Sequence, residues 1–154
     1  MIRNATLAFL VTAATLSLPA SAQPSYLIYA QKLVDAAIAK HSDLTVLAMH
    51  VTPPNGADNV IIASNIGRIG KKADADDLGV LNTGKPRIET TKTGDTSVEL
   101  LMQDIAGKTI GVLGATFKYK AGEDKAAVRE LAEKLKEELR MQTPSLEKLF
   151  EPIQ

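Results

Sequence analysis

The chain contains no cysteine and no tryptophan, only two histidines, and few aromatics, which make up 4% of its 154 residues. Without cysteine there is neither a disulfide nor a thiolate ligand, so stability rests on packing. Two histidines alone do not assemble a closed structural zinc site, so no metal is expected. The scarcity of aromatics leaves Leu, Ile, Val and Ala to form the core. Neither sign of charge dominates, because 18 basic residues balance 18 acidic ones. That balance argues against a nucleic-acid partner, which would call for a basic excess or stripe. There is no Gly-x-Ser-x-Gly elbow and no other complete catalytic motif, so neither enzymatic activity nor a cofactor is expected.

What is present begins with Arg3, an apolar stretch over residues 5–18, and Ala20-Ser21-Ala22 before Gln23. This pattern predicts a secretory signal peptide over residues 1–22, cleaved after Ala22. The apolar run is shorter than the roughly 20 residues that a spanning helix needs, and a lipoprotein anchor would require a cysteine to acylate. Residues 23–154 carry one net negative charge, contain no second spanning stretch, and have the length of one domain. The expected location is periplasmic or secreted.

Along residues 25–41, Tyr26, Leu27, Ala30, Leu33, Val34, Ala37 and Ile38 recur at helical spacing, which predicts an amphipathic helix capped by Ser25. Residues 44–52 read as a strand ended by Pro53-Pro54-Asn55-Gly56, and residues 60–64 as a second strand paired antiparallel with it. Residues 66–86 hold four glycines and three aspartates without a steady period. They predict a long ordered crossover with a helical turn or two near 74–81, and loops of that length are usually functional. Strands over 87–91, 97–103 and 109–119 follow as a meander, joined through Thr93-Gly94-Asp95 and Asp104-Ile105-Ala106-Gly107. A final amphipathic helix spans 123–140, carries Val128, Leu131, Ala132, Leu135 and Leu139 on one stripe, and stops before Pro144; one last turn is expected at 145–150.

Helix, two strands, long crossover, three strands and helix is an α+β plan with a five-stranded antiparallel sheet. The chain resembles a single Cache domain, the extracytoplasmic branch of the PAS-like fold. The resemblance is carried by Val60-Ile61-Ile62-Ala63-Ser64-Asn65, Ile69-Gly70-Lys71, Thr83-Gly84-Lys85-Pro86, and Gly107-Lys108-Thr109-Ile110-Gly111-Val112-Leu113-Gly114. It implies a free-standing sensor that binds a small organic molecule between sheet and crossover and is read by a membrane-receptor or kinase partner.

The candidate ligand-binding residues are His50, Asn65, Arg68, Lys71 and Asp77. His50, on a strand, is either a satisfied core histidine or a donor to an anionic ligand. Arg68 and Lys71 suit an organic anion, although lysines at such a place are also commonly just solvated. Asn65 either orients a ligand or stabilises its own turn. Asp77 belongs to Asp74-Ala75-Asp76-Asp77-Leu78-Gly79, which starts like a calcium loop. Leu78 at the fifth ligand position and Lys85 at the twelfth exclude an EF-hand. Those carboxylates either cap the crossover helix or, at Asp77, reach the mouth of the pocket. Ala106-Gly107-Lys108-Thr109 looks like the end of a phosphate loop, but Met102 stands where the first glycine belongs and a strand follows, so a hairpin turn is expected. A second reading keeps the same fold with the pocket filled by side chains, acting through a homodimer or a receptor. A third is an exported enzyme of unrecognised type.

Overall fold

A computed structural model describes residues 27–118 and 124–153. The predicted signal peptide, the Ser25 cap and the last predicted strand residue, Tyr119, lie outside them. The elements are α1 (Tyr29–Lys40), β1 (Leu44–Val51), β2 (Val60–Ser64), α2 (Ala75–Thr83), β3 (Arg87–Thr90), β4 (Thr96–Gln103), β5 (Thr109–Phe117), α3 (Lys125–Met141) and α4 (Leu146–Leu149). The five strands form one antiparallel sheet in the order β2-β1-β5-β4-β3, so the chain is α+β with a PAS-like sheet.

Strand alternation decides which face is covered. Leu47, Met49 and Val51 of β1, Val98, Leu100 and Met102 of β4, and Leu113, Ala115 and Phe117 of β5 point to one side. There they meet Ala30, Leu33, Val34 and Ala37 of α1 and Val128, Ala132, Leu135 and Leu139 of α3. All of these side chains are buried, and they form one core. Three bulges adjust the register, one of them at Thr45 of β1, which is passed over between Leu44↔Phe117 and Val46↔Thr116. His50 pairs with Ile61 while Met49 pairs with Ala63, which leaves Ile62 as the extra residue of β2. Similarly, Ile110 is passed over between Met102↔Gly111 and Gln103↔Thr109. Ile62 and Ile110 both enter the core.

The first helix starts later than its periodicity predicts, at Tyr29. Ile28 forms a bridge with Pro152, and the amides of Tyr29 and Ile153 donate to the carbonyls of Glu151 and Leu27. The end of the chain thus holds residues 27–28 extended. Tyr29 packs against the core and reaches the C-terminal helices; its hydroxyl donates to the Gln142 carbonyl at 3.0 Å, and the Lys148 ammonium sits 5.4 Å from its ring centre. His41, the expected helix-end residue, caps α1 and contacts Glu138 of α3 at 3.1 Å. Burial pushes the Glu138 carboxyl up, but the bonds and charges of Lys40 and His41 outweigh it and hold the group below its ordinary value.

Candidate functional site

The second face of the sheet is covered by the crossover and its short helix α2 in place of the two longer helices of the first. Sheet register sets Ala48, Gly114, Glu99 and Arg87 side by side across β1, β5, β4 and β3, with Val46, Thr116 and Ser97 as the neighbouring row. The middle of that surface is low, because Ala48 and Gly114 are its smallest residues. A Cβ added at Gly114 would meet no atom within 4 Å. Over this depression passes the crossover, leaving a cavity of about 180 Å³. It has room for on the order of six waters.

The path of the crossover follows from its backbone bonds. Ile61 donates to the Lys71 carbonyl at 2.9 Å and accepts from the Gly70 amide at 2.8 Å, and the Ala73 amide donates to the Asn59 carbonyl at 2.8 Å. The chain therefore doubles back along the free edge of β2. The reversal passes through Gly67 at φ 74° and Arg68 at φ 65°. Glycine takes that conformation freely, whereas for arginine it costs about 1–2 kcal/mol. Strain of this kind is kept where surrounding structure dictates it, often at functional sites.

The structure brings four of the five predicted residues, His50, Arg68, Lys71 and Asp77, to the walls of this one cavity. Asp74 caps α2 by accepting from the Asp76 and Asp77 amides, while the Asp77 carboxylate accepts from the Asp74 amide and completes a capping box. Capping and pocket-lining thus coincide in Asp77, which is 5% exposed. Its Oδ2 lies 3.2 Å from Nδ1 of His50, itself 8% exposed. That contact pairs the two side chains, although the ring is not well aligned for a linear hydrogen bond. Burial pushes the Asp77 carboxyl up, but the bonds from His50 and the Asp74 amide, with the charges of His50 and Lys71, hold it below its ordinary value.

Asn65 is not among the residues lining the cavity. Its Oδ1 accepts from the Leu47 amide and its Nδ2 donates to the Thr45 carbonyl, both at 2.9 Å. It thereby extends the β2 ladder along β1 beyond the last strand residue. Asn65→Ala removes both bonds and is expected to cost about 1–2 kcal/mol in urea unfolding, with ligand affinity unchanged.

One wall residue was missed in the sequence. Glu99 is 15% exposed at its side chain, its Oε1 lies 3.6 Å from Arg87, and its Oε2 is buried without a hydrogen-bond partner. Arg87 is shared with Asp76 at 3.0 Å and Glu89 at 2.7 Å. Burial first, and then the charges of Asp77, Asp74 and Asp76, push the Glu99 carboxyl up to about 7, against the opposing pull of Arg87.

The acidic stretch 74–79 starts a helix, and 104–107 forms a hairpin turn in which Gly107 has φ 80° and donates to the Asp104 carbonyl. Among the described residues no group of His, Cys, Asp and Glu is arranged to hold a metal ion, and no helix is long and apolar enough to cross a membrane. A larger cavity of about 270 Å³ lies between the end of α1 and α3. Its Lys40 and Lys134 are already paired, with Glu138 and Glu130, and it holds none of the unpartnered buried atoms.

No family model matches the chain, and no curated protein matches it. Among solved structures it is similar to a GAF domain region from Geobacter sulfurreducens PCA, at 10% identity and a TM-score of 0.48, covering 72% of this chain and 90% of that one. A second is a double mutant of the inducer-binding domain of the PobR transcription factor from Acinetobacter, in complex with 3-hydroxybenzoic acid. There the identity is 11% and the TM-score 0.47, with 74% and 97% of the chains covered. The repressor BlcR of Agobacterium tumefaciens matches at 11% identity and a TM-score of 0.49, over 77% and 68%. These similarities are too loose to assign a role, and the site stands on its own geometry.

Proposed function

We propose that the protein is an exported sensor module of the Cache type that binds a small organic molecule between the sheet and crossover residues 65–86, and performs no catalysis. One observation carries this reading. Glu99 Oε2 is buried without a hydrogen-bond partner, and Glu99 lines the cavity together with the His50–Asp77 pair. A buried polar atom left unbonded costs about 1–3 kcal/mol, and a ligand that bonds to it relieves that cost. A pocket filled by side chains would have no such need, so the cavity favours sensing over a purely structural role.

Arg68 and Lys71 supply positive charge on the crossover side for an anionic part of the ligand. Binding draws the crossover onto the sheet, and a receptor or kinase reads the change as a shift between two arrangements. The signal-peptide pattern over residues 1–22 supports a location in the periplasm or outside the cell.

A thermal-shift screen of the purified protein against organic acids, amino acids, amines and purines tests this reading. A true ligand at 100 times its Kd stabilises by about 2.7 kcal/mol, which raises Tm by roughly 10 °C in a domain of this size. A flat screen together with crystals whose cavity stays empty after soaking would end the sensor reading.

A further inference from the structure

Glu99 stands among three other carboxylates. From α2 and its cap come Asp74, Asp76 and Asp77, the last against His50 of β1; from β3 comes Arg87, already shared with Asp76 and Glu89. Arg68 and Lys71 stand on the crossover side, and Lys71 lies 3.9 Å from Asp74. Three carboxylates thus act on a fourth whose salt-bridge partner Arg87 is shared, and the fourth has a buried oxygen with nothing bonded to it. An anion brought to that oxygen would be repelled. A nitrogen carrying positive charge would gain both a hydrogen bond and the surrounding potential.

Resting on the small-molecule reading above, the geometry points to Glu99 as the group that selects the ligand: it takes a protonated amine or guanidinium of the bound molecule and releases its own proton to solvent as it does so. The exchange balances. Below about pH 7 the empty cavity holds a neutral carboxylic acid, the occupied one holds a carboxylate paired with the ligand cation, and up to one proton passes to the buffer for each ligand bound.

The sign of the pH dependence follows by linkage. Below the point near 7 at which Glu99 ionises in the empty protein, binding must first remove a proton, so affinity rises about tenfold per pH unit. Above that point it levels off, and the total gain from pH 5.5 to 8 is roughly 30-fold.

The test uses the purified protein and a panel of small amines and guanidines, each matched with an uncharged isostere such as ethanolamine with ethylene glycol. Affinities are measured by calorimetry at pH 5.5, 7 and 8, in two buffers of different ionisation enthalpy. The expected result is that charged members bind, uncharged partners do not, about one proton is released per ligand below pH 7, and Glu99→Gln loses the pH dependence and most of the affinity. Binding of uncharged or anionic compounds with a flat profile would overturn the role of Glu99 while leaving the sensor reading intact. A panel in which no cation bound would overturn it as well, and the broader screen would then decide separately whether the cavity binds anything.

Discussion

Gly111→Ala will destabilise the protein by about 3 kcal/mol, the upper end of the ordinary cost of overpacking, and lower Tm by roughly 10 °C. Gly111 pairs with Val51 on one side and Met102 on the other, beside the bulge at Ile110. A Cβ there would lie 2.1 Å from the His50 carbonyl oxygen and 2.6 Å from Cγ1 of Val51. The first obstacle is backbone of the adjoining strand, so it cannot move aside by changing a rotamer. Relief requires β1 and β5 to separate at the centre of the sheet, where His50 is held. Gly114, three residues along the same strand, is the internal control, since a Cβ there meets nothing. Gly114→Ala should be neutral or stabilising by up to about 1 kcal/mol, because glycine weakens a strand interior. Urea unfolding of the two variants measures the contrast, and equal stabilities would mean that the strands do not approach as closely as the register requires.

The second large effect is a gain in stability. Glu99→Gln is expected to raise the unfolding free energy at pH 8 by roughly 2–3 kcal/mol, or about 10 °C in Tm. The carboxyl titrates near 7 in the folded protein, against an ordinary value of 4.5. Between those two values the folded state keeps a proton that the unfolded chain has released, so stability falls as pH rises. The loss begins near pH 4.5, is complete just above 7, and is absent in the Gln variant. Asp77 and Glu138, held below their ordinary values, act in the opposite sense: their contribution is present above about pH 4 and is lost on acidification. The native protein is therefore most stable near pH 5. A series of melts from pH 4 to 9 on both proteins checks this, and parallel curves would show that Glu99 ionises normally.

Such a residue persists in marginally stable proteins when function needs it, and its cost fits a site awaiting a partner. Nothing in its sequence neighbourhood marks Glu99. It stands in the alternation Ser97, Glu99, Leu101, Gln103, the partly exposed half of a strand whose other half, Val98, Leu100 and Met102, is buried. Its burial comes from α2 and the crossover folding over it, and no local pattern encodes that. Asp77 was more legible, because a capping box is written in neighbouring residues. Strands β1 to β5 fall within a residue or two of their predicted bounds, since alternation and turn residues act locally. The start of α1 does not, because its unwinding at residues 27–28 depends on Glu151, Pro152 and Ile153, more than a hundred residues away. Asn65 divides the same way: its polarity was visible, but its two bonds to β1 depend on sheet register.

The depression over Ala48 and Gly114 is the proposed ligand cavity. Gly114→Val probes it directly, because Gly114 lines the cavity and an added Cβ there meets no atom within 4 Å, so the extra methyl groups take up the cavity floor, and valine suits a strand. The decisive measurement is a calorimetric titration of the best compound from the thermal-shift screen into the native protein and this variant. Saturable binding to the native protein and none to Gly114→Val is expected, with a Tm for the unliganded variant equal to or above the native value. Equal affinity in the two proteins would place the ligand elsewhere and contradict the proposed cavity.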